Sequence, residues 1–93
     1  ALESPYALDA LENYSALLHD AGQAENAEKI ARHVVEKYRA IYGDEDLSVA
    51  HALFTLAKAV NRQGRPAEAE DLLQQALAMQ ERLGRPNAAT VHM

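Results

Sequence analysis

The stretch ALENYSALLHDAGQAENAE (residues 10–28) returns 42 residues later as ALFTLAKAVNRQGRPAEAE (residues 52–70). A central glycine, Gly22 or Gly64, occupies the same place in both copies, and small or apolar residues fill most of the other matching positions. Four further pairs are identical: Ala10 and Ala52, Leu11 and Leu53, Ala27 and Ala69, Glu28 and Glu70. A fixed period of this kind indicates stacked copies of one supersecondary unit, each of which buries its apolar face against the next.

The first copy has the pattern of two α-helices, here called helix A and helix B. Ser4 can accept a hydrogen bond from a first-turn amide, and Pro5 needs no amide partner there, so helix A is predicted to begin at Pro5. Gly22 ends helix A, and helix B is predicted from about Ala24 to Tyr42. The apolar stripes with helical period are Leu11, Tyr14, Ser15 and Leu18 in helix A, and Ala27, Ile30, Ala31, Val34, Val35, Tyr38 and Ile41 in helix B.

The second copy repeats this pattern. Asp46 is placed to cap its helix A, and Pro66 opens its helix B, which closes at Gly84. The short connections make neighbouring helices antiparallel. The apolar positions of this copy are Val49, Leu53, Leu56, Ala57, Val60, Ala69, Leu72, Leu73, Ala76 and Leu77. Off-stripe residues predict that each helix A is buried on a second side; they are Ala10, Leu17, Ala52 and Ala59.

The composition supports an all-α fold built from such antiparallel helix pairs. The chain has 19 alanines and 12 leucines among its 93 residues, and only 5% of the residues are aromatic. No apolar stretch approaches the length of a transmembrane helix and no secretory leader is recognisable, so we expect a cytoplasmic location and no membrane partner. The net charge of −5 argues against a nucleic-acid partner, because such surfaces concentrate Lys and Arg.

We expect a single domain, residues 1–93, that is an excised piece of a longer protein. Its first repeat spans about residues 4–43 and its second about residues 46–84. A third repeat is expected to begin at about residues 87–93, where Asn87 and Val91 match Asp46 and Ala50 at an offset reduced to 41.

The pattern resembles the tetratricopeptide repeat family, whose helix A carries a large, a leucine, a small and an aromatic residue in series. The matching positions are Leu11 and Leu53, Tyr14 and Leu56, Ser15 and Ala57, Leu18 and Val60, with Ala31 and Leu73 at an aromatic position of helix B. The 42-residue period exceeds the usual period of about 34 residues. It resembles the longer variant of kinesin light chains and bacterial multi-repeat proteins.

The resemblance implies a right-handed superhelix whose A helices line a concave groove that binds a peptide or protein segment. The family's groove positions correspond here to Asp9, Glu12, Asn13, Ala16, His19 and Asp20 in the first copy, and to His51, Phe54, Thr55, Lys58, Asn61 and Arg62 in the second. Lys58 and Arg62 lie one turn apart and can jointly bind a carboxylate, as in the terminal-carboxylate clamps of some family members. The first copy lacks the matching lysine, so that clamp is only partly present.

Each of these side chains also has a plain structural interpretation. Lys58 and Arg62 can be the solvated face of a helix, and Asn13 can be a solvated amide rather than a ligand for a peptide backbone. Phe54 is either an anchor for a partner's apolar side chain or part of the core. The alternative function is therefore a spacer or oligomerisation scaffold within a larger protein, without a groove ligand.

No catalytic, metal-binding or cofactor-binding pattern is present, so we expect neither an enzyme nor a cofactor. The histidines, His19, His33, His51 and His92, include no pair at i, i+4 spacing. There is no cysteine for a thiolate site, and no glycine-rich phosphate loop. Ser15 is a packing position and Ser48 lies in a first helical turn, so neither has the surroundings of a nucleophile.

Charge is distributed unevenly along the chain. Residues 1–46 carry a net charge of −6 and residues 47–93 a net charge of +1. This difference favours head-to-tail stacking of copies or a bipolar groove, although acids at helix starts and bases at helix ends account for much of it. We also expect weak self-association through the C-terminal end, where Leu73 and Leu77 lack a following helix to cover them.

Overall fold

A computed structural model describes residues 4–84, which form four α-helices and no strand. The helices are α1 (Pro5–Asp20), α2 (Ala24–Tyr42), α3 (Leu47–Arg62) and α4 (Pro66–Gly84). Helices α3 and α4 begin and end 42 residues after α1 and α2. The all-α fold and the predicted helix starts at Pro5, Ala24 and Pro66 are confirmed. The predicted start of a third repeat lies outside the described residues.

The helix ends follow from local chemistry at equivalent positions. The Ser4 hydroxyl accepts a hydrogen bond from the Ala7 amide at 3.1 Å, and the Asp46 carboxylate accepts one from the Ser48 amide at 2.8 Å. Gly22 and Gly64 adopt φ of 84° and 81° in the A–B turns, a region that residues with a Cβ rarely enter. Both glycines therefore allow the same sharp reversal between helices.

Replacing Gly22 or Gly64 by alanine should lower the free energy of unfolding by about 1 kcal/mol. A Cβ at either site meets no atom within 4 Å, so the cost is backbone strain alone and should be equal at the two positions. Gly84, a helical residue without a positive φ, serves as the control, and its replacement by alanine should not destabilise the chain. Urea unfolding measures all three; unequal costs at the two turns would contradict the equivalence of the copies.

Two contacts show that α1 and α2 run antiparallel. The buried Ser15 hydroxyl donates to the Ala27 carbonyl at 2.7 Å, and nearer the other ends of the helices the Tyr38 hydroxyl donates to Asp9. Ala27 is fully buried, which confirms the predicted close crossing of helices A and B. Helix α3 packs on both α1 and α2, and α4 packs on α3. The largest fully buried side chains are Tyr38, Leu8, Leu53, Val34, Val49 and Val60.

The expectation of a second buried side for helix A is right for α3 and wrong for α1. Ala52 and Ala59 are fully buried because α3 lies between the first helix pair and α4. Ala10 and Leu17, their counterparts, are exposed because no described helix covers the outer side of α1. For the same reason Tyr14, assigned to the apolar stripe, is 52% exposed. The other stripe residues that remain exposed are Ile41, Leu73 and Leu77.

Candidate peptide-binding groove

The free faces of α1 and α3 form two parallel rows of side chains, which we call the groove rows. Residues 7 and 11 positions apart lie about two and three helical turns apart, so they share one face. The α1 row is Asp9, Ala16 and Asp20, and the α3 row is His51, Lys58 and Arg62. All except the half-buried Ala16 are exposed. One row is acidic and the other basic, so the surface between them is bipolar.

A buried carboxylate joins the two rows from below. Glu12 is 6% exposed and accepts a hydrogen bond from the Thr55 hydroxyl at 3.1 Å, and Nδ1 of His51 lies 2.5 Å from its other side of contact, Oε2. Thr55 is also 6% exposed. Glu12 and Thr55 thus lie between α1 and α3, beneath the open surface. Half-buried His19 lies on the same side of α1 as Glu12, with Nδ1 3.4 Å from the Asp20 carboxylate.

Asp9 is tied to the core by Tyr38. The Tyr38 side chain is almost completely buried, and its hydroxyl donates a hydrogen bond to the Asp9 carboxylate. Burial raises the pKa of the Tyr38 hydroxyl, and the negative charge of Asp9 raises it further. The hydroxyl therefore stays protonated and keeps donating, which fixes Asp9 at the end of its row.

Lys58 and Arg62 are exposed cations one helical turn apart, and neither forms an ion pair with any residue in the range 4–84. This distinguishes them from Arg32, Arg65 and Arg82, which are all paired with carboxylates. Exposed, unpaired cations at this spacing have donors available for a carboxylate supplied from outside the chain.

Three of the predicted groove residues lie at the edges of the surface. Phe54 is half-buried, packs against the core, and lines a cavity of about 280 Å³ between α3 and α4 together with Asn61. Both lie on the side of α3 that faces away from α1, the side equivalent to that of Glu12 and His19. Asn13 is exposed on the opposite edge, at the outer side of α1. The twelve predicted residues thus divide into two free rows, buried joining residues and edge residues.

A family model for the tetratricopeptide repeat matches residues 6–82. The chain belongs to the tetratricopeptide repeat family. Repeats of this family are non-catalytic modules that generally mediate protein–protein interactions. No match was found to a curated protein or to a solved structure. The likeness to the longer variant of kinesin light chains stays a prediction.

The two tetratricopeptide repeats are joined by an ion-pair cluster that the sequence analysis missed. The Arg65 guanidinium donates to both Glu28 carboxylate oxygens, at 2.9 and 2.8 Å, and the Gln63 amide donates to the same carboxylate at 2.8 Å. Arg32 bridges from Glu28, at 2.8 Å, to Glu68, at 2.6 Å. A signal for it existed, since the identical pair Glu28 and Glu70 had no assigned role.

The cluster makes Glu28 an unusually strong acid. Its hydrogen bonds with Arg65 lower the pKa of the Glu28 carboxyl to about 2 against the opposing effect of burial, and Gln63 and Arg32 lower it further. The same pairing raises the pKa of Arg65 and lowers that of Glu68. The cluster joins α2 to the α3–α4 turn, so it fixes how the two repeats are oriented and hence the geometry of the groove rows.

Neither metal nor membrane chemistry is indicated in the described part of the tetratricopeptide repeat chain. Residues 4–84 contain no group of three or more His, Asp or Glu side chains placed to hold a metal ion. None of the four helices is long and apolar enough to cross a bilayer.

Proposed function

We propose that the chain binds an acidic peptide segment of another protein in the surface between the groove rows. The observation that supports this most strongly is the pair of exposed, unpaired cations, Lys58 and Arg62, on one face of α3. A peptide carboxylate contacts this pair, and His51 extends the row of donors by about two further turns.

The acidic row on α1 sets the direction of the bound segment. Asp9 and Asp20 lie across the surface from the basic row and attract donors or cations on the other side of the peptide. Ala16 between them leaves room for backbone or small side chains. The surface is open and polar, so binding rests on a few charged contacts and is of modest affinity.

Binding to peptides selected from a random display library tests this proposal. Selected peptides should be rich in Asp and Glu, and the variant K58A/R62A should bind them at least about tenfold more weakly, which is about 1.4 kcal/mol. The matched control K29A/R39A removes one Lys and one Arg from α2, outside the groove rows, and should bind as the wild type does. Fluorescence anisotropy with a labelled selected peptide measures the three affinities.

The spacer function is the alternative outcome of this experiment. If no peptide is enriched, or if K58A/R62A and K29A/R39A weaken binding equally, the groove rows are not a binding surface. The ion-pair cluster around Glu28, which fixes the two repeats relative to each other, would then be the property that matters, as a rigid spacer requires.

A further inference from the structure

The outer side of α1 carries an exposed apolar surface, which we call the head face: Tyr6, Ala10, Tyr14 and Leu17. Tyr6 is 86% exposed and Leu17 is 65% exposed. The counterparts of these four residues on α3, found 42 residues later, are Ser48, Ala52, Leu56 and Ala59. The last three are at most 2% exposed because α3 packs on the first repeat. The head face is therefore the uncovered equivalent of a surface that forms a repeat–repeat interface elsewhere in the same chain.

The opposite end of the molecule carries the matching receptor surface, which we call the tail face: Phe54, Ala57, Ala69 and Leu73. These residues line the cavity of about 280 Å³ between α3 and α4. Their counterparts in the first repeat are Glu12, Ser15, Ala27 and Ala31, all of which are buried. Leu73, by contrast, is 38% exposed. The tail face is the site at which a further helix like α3 or α1 would pack.

The internal interface shows how the two faces fit. Ala59 of α3 packs against Leu18 and Ala27 of the first repeat. Shifting all three positions by one period replaces Ala59 by Leu17 and places it against Val60 and Ala69. Ala69 lines the cavity of the tail face, so the larger Leu17 side chain has a space to enter.

We propose that a second copy of this chain docks its head face on the tail face, extending the stack of repeats from one molecule to the next. Charge supports this orientation, because the region before residue 47 carries −6 and the remainder +1, so head-to-head contact would bring two acidic regions together. The contact uses two different surfaces and does not close on itself, so it allows growth beyond a dimer. This surface is separate from the groove rows and does not depend on the proposed peptide.

The contact between copies is weaker than the contact between the repeats of one chain. The counterpart of Arg65 on the incoming molecule is Gln23, and the counterpart of Glu28 on the tail side is Glu70. A neutral amide facing Glu70 replaces the two-bond guanidinium pair that joins the internal repeats. Association is therefore reversible and depends on chain concentration.

Sedimentation velocity with two complementary variants tests the proposal. Leu17→Glu disables the head face and Leu73→Glu disables the tail face. At chain concentrations up to about 1 mM, enough to half-fill a site of millimolar dissociation constant, the wild type should form species larger than dimers. Each variant alone should remain monomeric, and an equal mixture should form one-to-one dimers and nothing larger. The control Leu83→Glu, another exposed leucine, should associate as the wild type does.

Three outcomes would overturn the proposal. They are a monomeric wild type at the highest concentration, self-association of Leu17→Glu alone, which indicates tail-to-tail contact, and a mixture that forms no dimer. Far-UV circular dichroism confirms that each variant keeps its helices. Leu73→Gln replaces Leu73→Glu if the charged variant loses helicity, and the same outcomes then apply.

Discussion

Tyr38→Ala is expected to be the most destabilising single substitution of the chain, with a loss of about 3–5 kcal/mol. Tyr38 is the largest fully buried side chain, and it lies in the core shared by α1, α2 and α3. A chain of this size has a total unfolding free energy of about 5–14 kcal/mol. The variant should therefore show a much lower urea midpoint, measured by circular dichroism, and a substantial unfolded population near 37 °C.

Two controls separate the ring of Tyr38 from its hydroxyl. Tyr38→Phe keeps the buried ring and loses only the hydrogen bond to Asp9, which should cost about 1 kcal/mol. Tyr42→Ala removes a tyrosine that is 41% exposed and should cost clearly less than Tyr38→Ala. Equal losses for the Tyr38 and Tyr42 alanine variants would show that the core is not centred where the structure places it.

Glu28→Gln should remove about 2 kcal/mol of stability at pH 7, because a carboxylate that accepts charge-assisted bonds from Arg65 and Arg32 becomes a neutral amide. The folded-state pKa of Glu28 lies at about 2, below its ordinary value of 4.5. Its contribution is therefore complete above about pH 4.5 and is lost as the pH falls towards 2. The stability difference between wild type and variant should shrink over that interval.

Glu25→Gln is the matched control for this experiment. Glu25 lies on the same helix and faces Lys29 at 3.9 Å, with both side chains more than 70% exposed. Its replacement should change stability by less than about 0.5 kcal/mol at any pH. Urea unfolding at a series of pH values compares the three chains. A Glu28→Gln profile that parallels the wild type down to pH 2 would rule out a stabilising role for the cluster.

The sequence was most informative where a residue acts on its near neighbours. Ser4 and Asp46 cap helices through hydrogen bonds to residues three and two positions away, so the sequence alone locates both helix starts. The equivalence of Gly22 and Gly64 likewise needs only the chain direction around a turn. These local rules predicted the helices and the period.

The sequence was less informative where a side chain's role depends on which helix covers it. Leu17 and Ala59 occupy equivalent positions, yet one is exposed and the other buried, because only α3 has a preceding repeat beside it. Glu28 and Arg65 are 37 residues apart, and a charged residue on a helix surface gives no local sign of a distant partner. The burial of Glu12 beneath Thr55 was missed for the same reason.

Mapping a bound peptide on the amide resonances of the chain tests the central claim, that the surface between α1 and α3 binds a partner. Addition of a selected acidic peptide should shift the amides near His51, Lys58 and Arg62 most, with smaller shifts near Asp9 and Asp20. Residues on the outer sides of α2 and α4 should not respond. The largest shifts on those outer sides, or on the head face, would contradict the account.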